Sequence, residues 1–195
     1  MKHSITQHPF IMAIFAIFFV PTLLQAHPTP HEVGFIAGLN HPFTGLDHIL
    51  AMIAIGLWAA QTGGRALWLI PTAFVSTMIL GGSLGIAGIE IPRVEQGILA
   101  SVLVLGLLIT TATQLPLIGS SVLVSLFALC HGFAHGSEIP TNVSGFTYMG
   151  GFVLATALLH GLGIGMAFGF RRMLSESTLR WAGAAIVLGG LYLAS

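Results

Sequence analysis

Leu117-Ile-Gly-Ser-Ser-Val-Leu-Val-Ser-Leu-Phe-Ala-Leu-Cys-His131-Gly-Phe-Ala-His135-Gly136 is an uncharged run that ends in two imidazoles. A helix crosses the hydrocarbon of a bilayer in about 20 apolar residues, so this segment predicts a membrane-spanning helix. Outward from it, five more runs have the same character, over 43–60, 66–87, 95–113, 146–170 and 178–194. The breaks between them are polar or helix-breaking: Gln61-Thr-Gly-Gly-Arg65, Glu90-Ile-Pro-Arg-Val-Glu95, Gln114-Leu-Pro116, Ser137-Glu-Ile-Pro-Thr-Asn142 and Arg171-Arg172-Met-Leu-Ser-Glu176. The expected fold is an all-α integral membrane protein with about six transmembrane helices. No hydrophilic linker divides residues 27–195, so they read as one domain. Within it, 27–40 is expected to form a small helix on the outer face.

The composition agrees. The chain is 55% hydrophobic and 6% charged, whereas a soluble domain carries about 25% charged residues. A net charge of zero makes nucleic acid and acidic surfaces poor partners. One cysteine rules out an internal disulfide framework. Nine His stand beside six Lys or Arg and six Asp or Glu, an unusual ratio. The 25 Gly fit close helix packing in lipid.

Residues 1–26 read as a cleavable signal peptide. Lys2 supplies the positive end, Phe10 to Leu24 the apolar stretch, and Leu24-Gln25-Ala26 a small residue at the cleavage point. The alternative is an uncleaved first helix. Cleavage after Ala26 puts the new N-terminus, His27, outside the cytoplasm. The first, third and fifth loops are then cytoplasmic and hold Arg65, Arg171, Arg172 and Arg180, while outer segments hold Arg93. That imbalance obeys the positive-inside rule. It sets Asp47 and His48 about 6–9 Å below the outer start of the first helix and His160 about 20 Å down the fifth.

Two stretches put metal-binding side chains into these apolar runs: His41-Pro-Phe-Thr-Gly-Leu-Asp47-His48 and Cys130-His131-Gly-Phe-Ala-His135-Gly-Ser-Glu138. Ionisable groups cost about 2.5–3.5 kcal/mol each at the membrane centre on insertion scales, and mark function when they occur there. Imidazole with carboxylate suits Ni, Co, Zn, Cu or Fe better than Ca or Mg. His41 and His48 are two helical turns apart and are expected to share a face. Asp47 either binds metal itself or orients an imidazole. His131 and His135, four apart, share a face, and Glu138 follows within a turn. The bland alternatives are local capping for His41 and Asp47, and a packing face for His131 and His135.

Other residues carry weaker signals. His160 is alone in its run and reads as an inner station or as a buried packing histidine. The ladder Gly161, Gly165 and Gly169 reads as a packing face. His27, His31 and Glu32 form an outer group suited to metal capture or simply to solvation. Cys130 reads as a small apolar residue. Gly81-Gly82-Ser83-Leu84-Gly85 contains the G-x-S-x-G pattern of serine hydrolases, but in a glycine-rich membrane helix the pattern is weak.

The chain resembles the HupE/UreJ family of hydrogenase and urease accessory membrane proteins. The resemblance rests on His41-Pro42-x-x-Gly45-x-Asp47-His48-x-Leu50-Ala51-Met52, running on to Gly56-Leu57-Trp58-Ala59, and on His131-Gly132-x-Ala134-His135-Gly136-x-Glu138. A weaker stretch runs from Gly151-Phe152 through Ala155-Thr156 to Leu159-His160. The first motif is also similar to the His- and Asp-rich signature of the broader nickel/cobalt permeases, with different spacing. The resemblance implies a multi-pass protein of the bacterial inner membrane that is a secondary transporter rather than an enzyme. Its cargo would be nickel, or in some members cobalt, supplied for hydrogenase or urease maturation, with no tightly bound cofactor. It implies His41, Asp47, His48, His131, His135 and Glu138 as the metal-handling positions.

The residues themselves allow two further classes. One is a membrane-embedded zinc hydrolase using the same His/Asp cluster to activate water. The other is a haem protein, against which the carboxylates beside the histidines argue. Transport is favoured because imidazole and carboxylate bind a divalent ion moderately and release it, and because His160 lies deeper than the rest. No nucleotide-binding motif is present, so ATP is not the energy source expected of this chain.

Overall fold

The computed structural model describes residues 30–89, 91–139 and 143–195, with backbone alone for 30–32 and 176. The expected signal peptide, 1–26, lies outside the described residues. Seven α-helices make up the described chain, and no strand occurs in it. They are α1 (Pro30–Asn40), α2 (Leu46–Thr62), α3 (Ala66–Ile86), α4 (Val94–Thr111), α5 (Leu117–Ser137), α6 (Gly145–Met173) and α7 (Glu176–Leu193). A turn of 3-10 helix, His41–Phe43, joins α1 to α2.

Four helices, α3 to α6, are long and apolar enough to cross a membrane, and α1 with α2, bent by 78°, would make a fifth. The expected six helices after 27–40 are all present, and four or five spans meet the length and hydropathy of a crossing among the described residues. At 17 residues α2 is short by itself, and Glu176 and Arg180 dilute the start of α7. Large apolar side chains cover the outside: Ile118 is 80% and Phe146 91% exposed. Apolar surface on that scale belongs in contact with lipid. The chain is a multi-pass membrane protein.

Successive helices alternate in direction, so the bundle has two distinct ends. At one end Arg171 donates to the carbonyls of Ala60 and Gln61 at 3.1 and 3.3 Å. Arg180 donates to the carbonyl of Thr110 at 2.8 Å there. These cations sit on the C-terminal carbonyls of α2 and α4, where the helix dipole favours positive charge. Arg65, which precedes α3, lies at this end too. The other end carries the start of α2, the end of α5 and the start of α6.

The core lies along α2, which packs on α3, α4, α6 and α7. Trp58, Phe74, Phe152, Met52 and Ile55 are fully buried around it. Glycines let the backbones approach. A Cβ on Gly132 of α5 would collide with the Met78 carbonyl and come 2.8 Å from the Gly82 nitrogen of α3. A Cβ on Gly163 of α6 would lie 3.0 Å from Gly56 of α2.

One expectation needs correction. The ladder Gly161, Gly165 and Gly169 is not a packing face, since a Cβ on any of the three would meet nothing within 4 Å. The packing glycine of that stretch is Gly163. The serine of the G-x-S-x-G pattern is exposed and donates to the carbonyl of Ile79 on its own helix at 2.9 Å. Gly81 and Gly85 face α5 instead, and Gly82 faces Met149 of α6. The pattern is helix packing.

The helix expected over 27–40 is α1, and it does more than lie on a surface. It packs along the start of α6, where Gly38 approaches the Tyr148 backbone and Gly151 approaches that of Phe35.

Candidate metal centre

Three imidazoles meet at the end opposite the arginines. One ring nitrogen each of His41, His48 and His135 lies within 4.8 Å of the other two. His41 comes from the 3-10 turn, His48 from the first turn of α2 and His135 from the last turn of α5. Ring centroids are 4.5 Å apart for His41 and His135, 4.4 Å for His48 and His135, and 5.9 Å for His41 and His48. The Nε2 atoms of His48 and His135 face each other directly.

His41 reaches the group by a route the sequence spacing did not suggest. It does not share a helical face with His48, because Gly45 is extended (φ −107°, ψ 126°) and ends the turn before α2 begins. The 78° bend between the two helices carries the ring over instead. Glycine also leaves room at this position. A Cβ there would come 2.5 Å from Asp47 Oδ1 and 2.7 Å from His48 Nδ1.

Asp47 lies behind His48 and outside the three nitrogens. Its Oδ1 accepts the backbone N–H of His48 at 2.9 Å and sits 2.7 Å from His48 Nδ1. An ionised carboxylate only accepts, so the ring proton belongs on Nδ1. Nε2 then keeps a lone pair directed at His135. This is how an outer carboxylate orients a metal-binding imidazole. Phe152 packs on His135 at 4.6 Å, and both it and Tyr148 stand 6.0 Å from His41.

Glu138 stands at the rim. It follows the last residue of α5, its side chain is 56% exposed, and Oε2 is 3.7 Å from His135 Nδ1, too far for a hydrogen bond.

His131 is outside the group of three. It shares a face with His135, but one helical turn, about 5.4 Å, separates them in depth. Its Nδ1 donates to the carbonyl of Phe127 at 2.9 Å, so Nε2 is left as a buried acceptor without a partner. Its ring lies 5.5 Å from that of His48 and 5.5 Å from Phe74. On the other side of Phe74, at 5.2 Å, is His160. That ring is 2% exposed and neither nitrogen has a partner. Buried polar groups are nearly always hydrogen-bonded, so two such imidazoles in sequence are exceptional.

Glu95 was missed. With Asp47, Gln96, Leu99 and Leu193 it lines a cavity of about 250 Å³ beside the centre. As punctuation between two runs it carried no signal. As the one carboxylate in the first turn of an apolar helix it did. The expected capture group, His27, His31 and Glu32, lies outside the residues whose side chains are described.

The chain matches the family model described as "HupE / UreJ protein" over residues 15–193. It is similar to Protein HupE of Rhizobium leguminosarum bv. viciae, with 46% identity over 171 residues, covering 88% of this chain and 90% of that one. No solved structure matches.

Proposed function

The chain belongs to the HupE/UreJ family, and on that premise we propose that it imports a divalent transition-metal ion, nickel or cobalt, across the bacterial inner membrane. It acts as a secondary transporter that supplies hydrogenase or urease maturation. The observation that carries this reading is the convergence of His41, His48 and His135 within 4.8 Å at one end of the bundle.

The chemistry runs from that end inward. The carboxylates of Glu138, Glu95 and Asp47 attract a hydrated dication to the mouth. Three neutral imidazoles replace part of its water. An all-nitrogen site takes a divalent transition metal such as Ni or Co, as it would Zn or Cu, and lets the ion go again, where thiolates would hold it. His131 and then His160 offer the next nitrogens along the bundle. The arginines gathered at the far end support a cytoplasmic placement of that end. The membrane potential favours inward movement of a dication by about 4.6 kcal/mol per 100 mV, twice the single-charge value.

Reconstituted vesicles test this. The purified chain should accumulate Ni²⁺ or Co²⁺ without ATP, faster when the interior is negative. Vesicles that accumulate neither ion above protein-free controls would end the proposal.

Binding should also weaken in acid. An imidazole must be neutral to hold metal, so protons compete with the ion as the pH falls. The direction of the effect is fixed: acid can only weaken binding to imidazole nitrogens. Calorimetric titration of the purified protein between about pH 5 and 8 reads this directly. An affinity that rises as the pH is lowered would remove the histidines from the ligand set.

A further inference from the structure

Phe74 of α3 is fully buried and touches two imidazoles. Its ring meets His131 of α5 at 5.5 Å and His160 of α6 at 5.2 Å, edge to face in both contacts, with interplanar angles of 61° and 85°. His131 in turn lies 5.5 Å from His48 of the three-histidine centre. The row of rings that leads inward from the centre therefore runs His48, His131, Phe74, His160. One member of it has no nitrogen.

The nitrogens that flank Phe74 lack partners. His131 Nε2 and both nitrogens of His160 are buried without a hydrogen bond. Buried polar atoms are rarely left so, and a packed core has no need of them. Phe74 offers these nitrogens only carbon. It offers a metal ion no lone pair to replace the water that the imidazoles displace. The helix that carries it is weakened beside it. Pro71 lies inside α3, one turn before Phe74. Proline has no N–H, so the bond to the Leu67 carbonyl is missing from the helix ladder. Helices bend most readily at such a residue.

We propose that Phe74 is the gate between the outer metal centre and His160. Its ring closes the row in this structure and must swing aside before an ion at His131 passes to His160. The proposal rests on the transport reading above and adds the residue that controls passage. While the ring is in place the ion stays on the three-histidine side, so binding and passage are separate steps.

Two variants test the gate, each in vesicles that hold the full chain. Phe74→Leu removes the ring and keeps an apolar side chain. Phe74→Met does the same with a more adaptable one, which fills the space left in the core. Both leave His41, His48 and His135 in place. Ni²⁺ affinity should equal that of the parent. Uptake of Ni²⁺, and loss of preloaded Ni²⁺ to metal-free buffer, should both become about tenfold faster or more. Leu105→Ala is the control, because it loosens a fully buried position on α4, a helix without histidine, and should speed neither. A packing role for Phe74 predicts lower thermal stability with exchange unchanged or slower. Exchange at or below the parent rate in both Phe74 variants, with the parent itself active, would overturn the gate. The same acceleration in Leu105→Ala would overturn it too. A parent chain that takes up no metal above protein-free vesicles is a separate result, which overturns the transport reading and the gate with it.

Discussion

Replacing His48 by alanine should lower metal affinity and uptake by about 100-fold or more, and Asp47→Asn should cost about 10–100-fold. The two losses have different causes. His48→Ala removes one of the two Nε2 atoms that face each other. Asp47→Asn keeps the shape of the side chain but removes the charge that holds the proton on His48 Nδ1, 2.7 Å away. The imidazole can then turn its protonated nitrogen toward the centre, where it repels a cation. A competing role for Asp47 is to place negative charge at the start of α2, which stabilises a helix by about 0.3–1 kcal/mol. That role predicts lower thermal stability with affinity unchanged. Titration and thermal unfolding of Asp47→Asn separate the two, and an unchanged affinity would reduce Asp47 to a helix-terminal charge.

A large structural loss should come from Gly132→Ala. The added methyl would collide with the Met78 carbonyl and press on the Gly82 nitrogen at 2.8 Å, both backbone atoms that cannot rotate away. Helices α3 and α5 must then part. Overpacking of this kind costs about 1–3 kcal/mol. It would also shift α5, which carries His131 and His135, so stability and metal binding should fall together. Gly165→Ala is the matched control, because a Cβ there meets nothing within 4 Å. It should match the parent or gain slightly, since alanine favours helix by up to about 1 kcal/mol. Thermal unfolding in detergent reads both variants. A Gly132→Ala protein as stable as the parent would show that this contact is loose.

The helices were legible because membrane helices are a local problem. Run length, hydropathy and the Gly and Pro between runs sufficed to place all six helices from α2 to α7 within three residues of their ends. The three histidines that converge could be singled out as candidates too, since an imidazole in an apolar run is unusual. The pairing of helices was a different matter. A helical period says which residues share a face, and nothing about which face meets which.

That limit explains each departure. His41 and His48 share no helix face because extended Gly45 starts a bend, and the bend brings the rings together where periodicity alone would have stacked them. His131 and His135 share a face, but only the outer one joins His41 and His48 within 4.8 Å, because the two differ in depth by a turn. Glu95 came next to Asp47 through the packing of α4 on α2, a contact between residues distant in sequence. Glycine shows the limit most clearly. Gly161, Gly165 and Gly169 form the more regular ladder, yet Gly163 makes the contact. A residue without a side chain has no hydrophobicity to reveal its direction. The sequence by itself therefore determined the helices, the membrane and the candidate side chains. The tertiary structure decided which donors converge, because convergence depends on helix bends and axial offsets that no local pattern encodes.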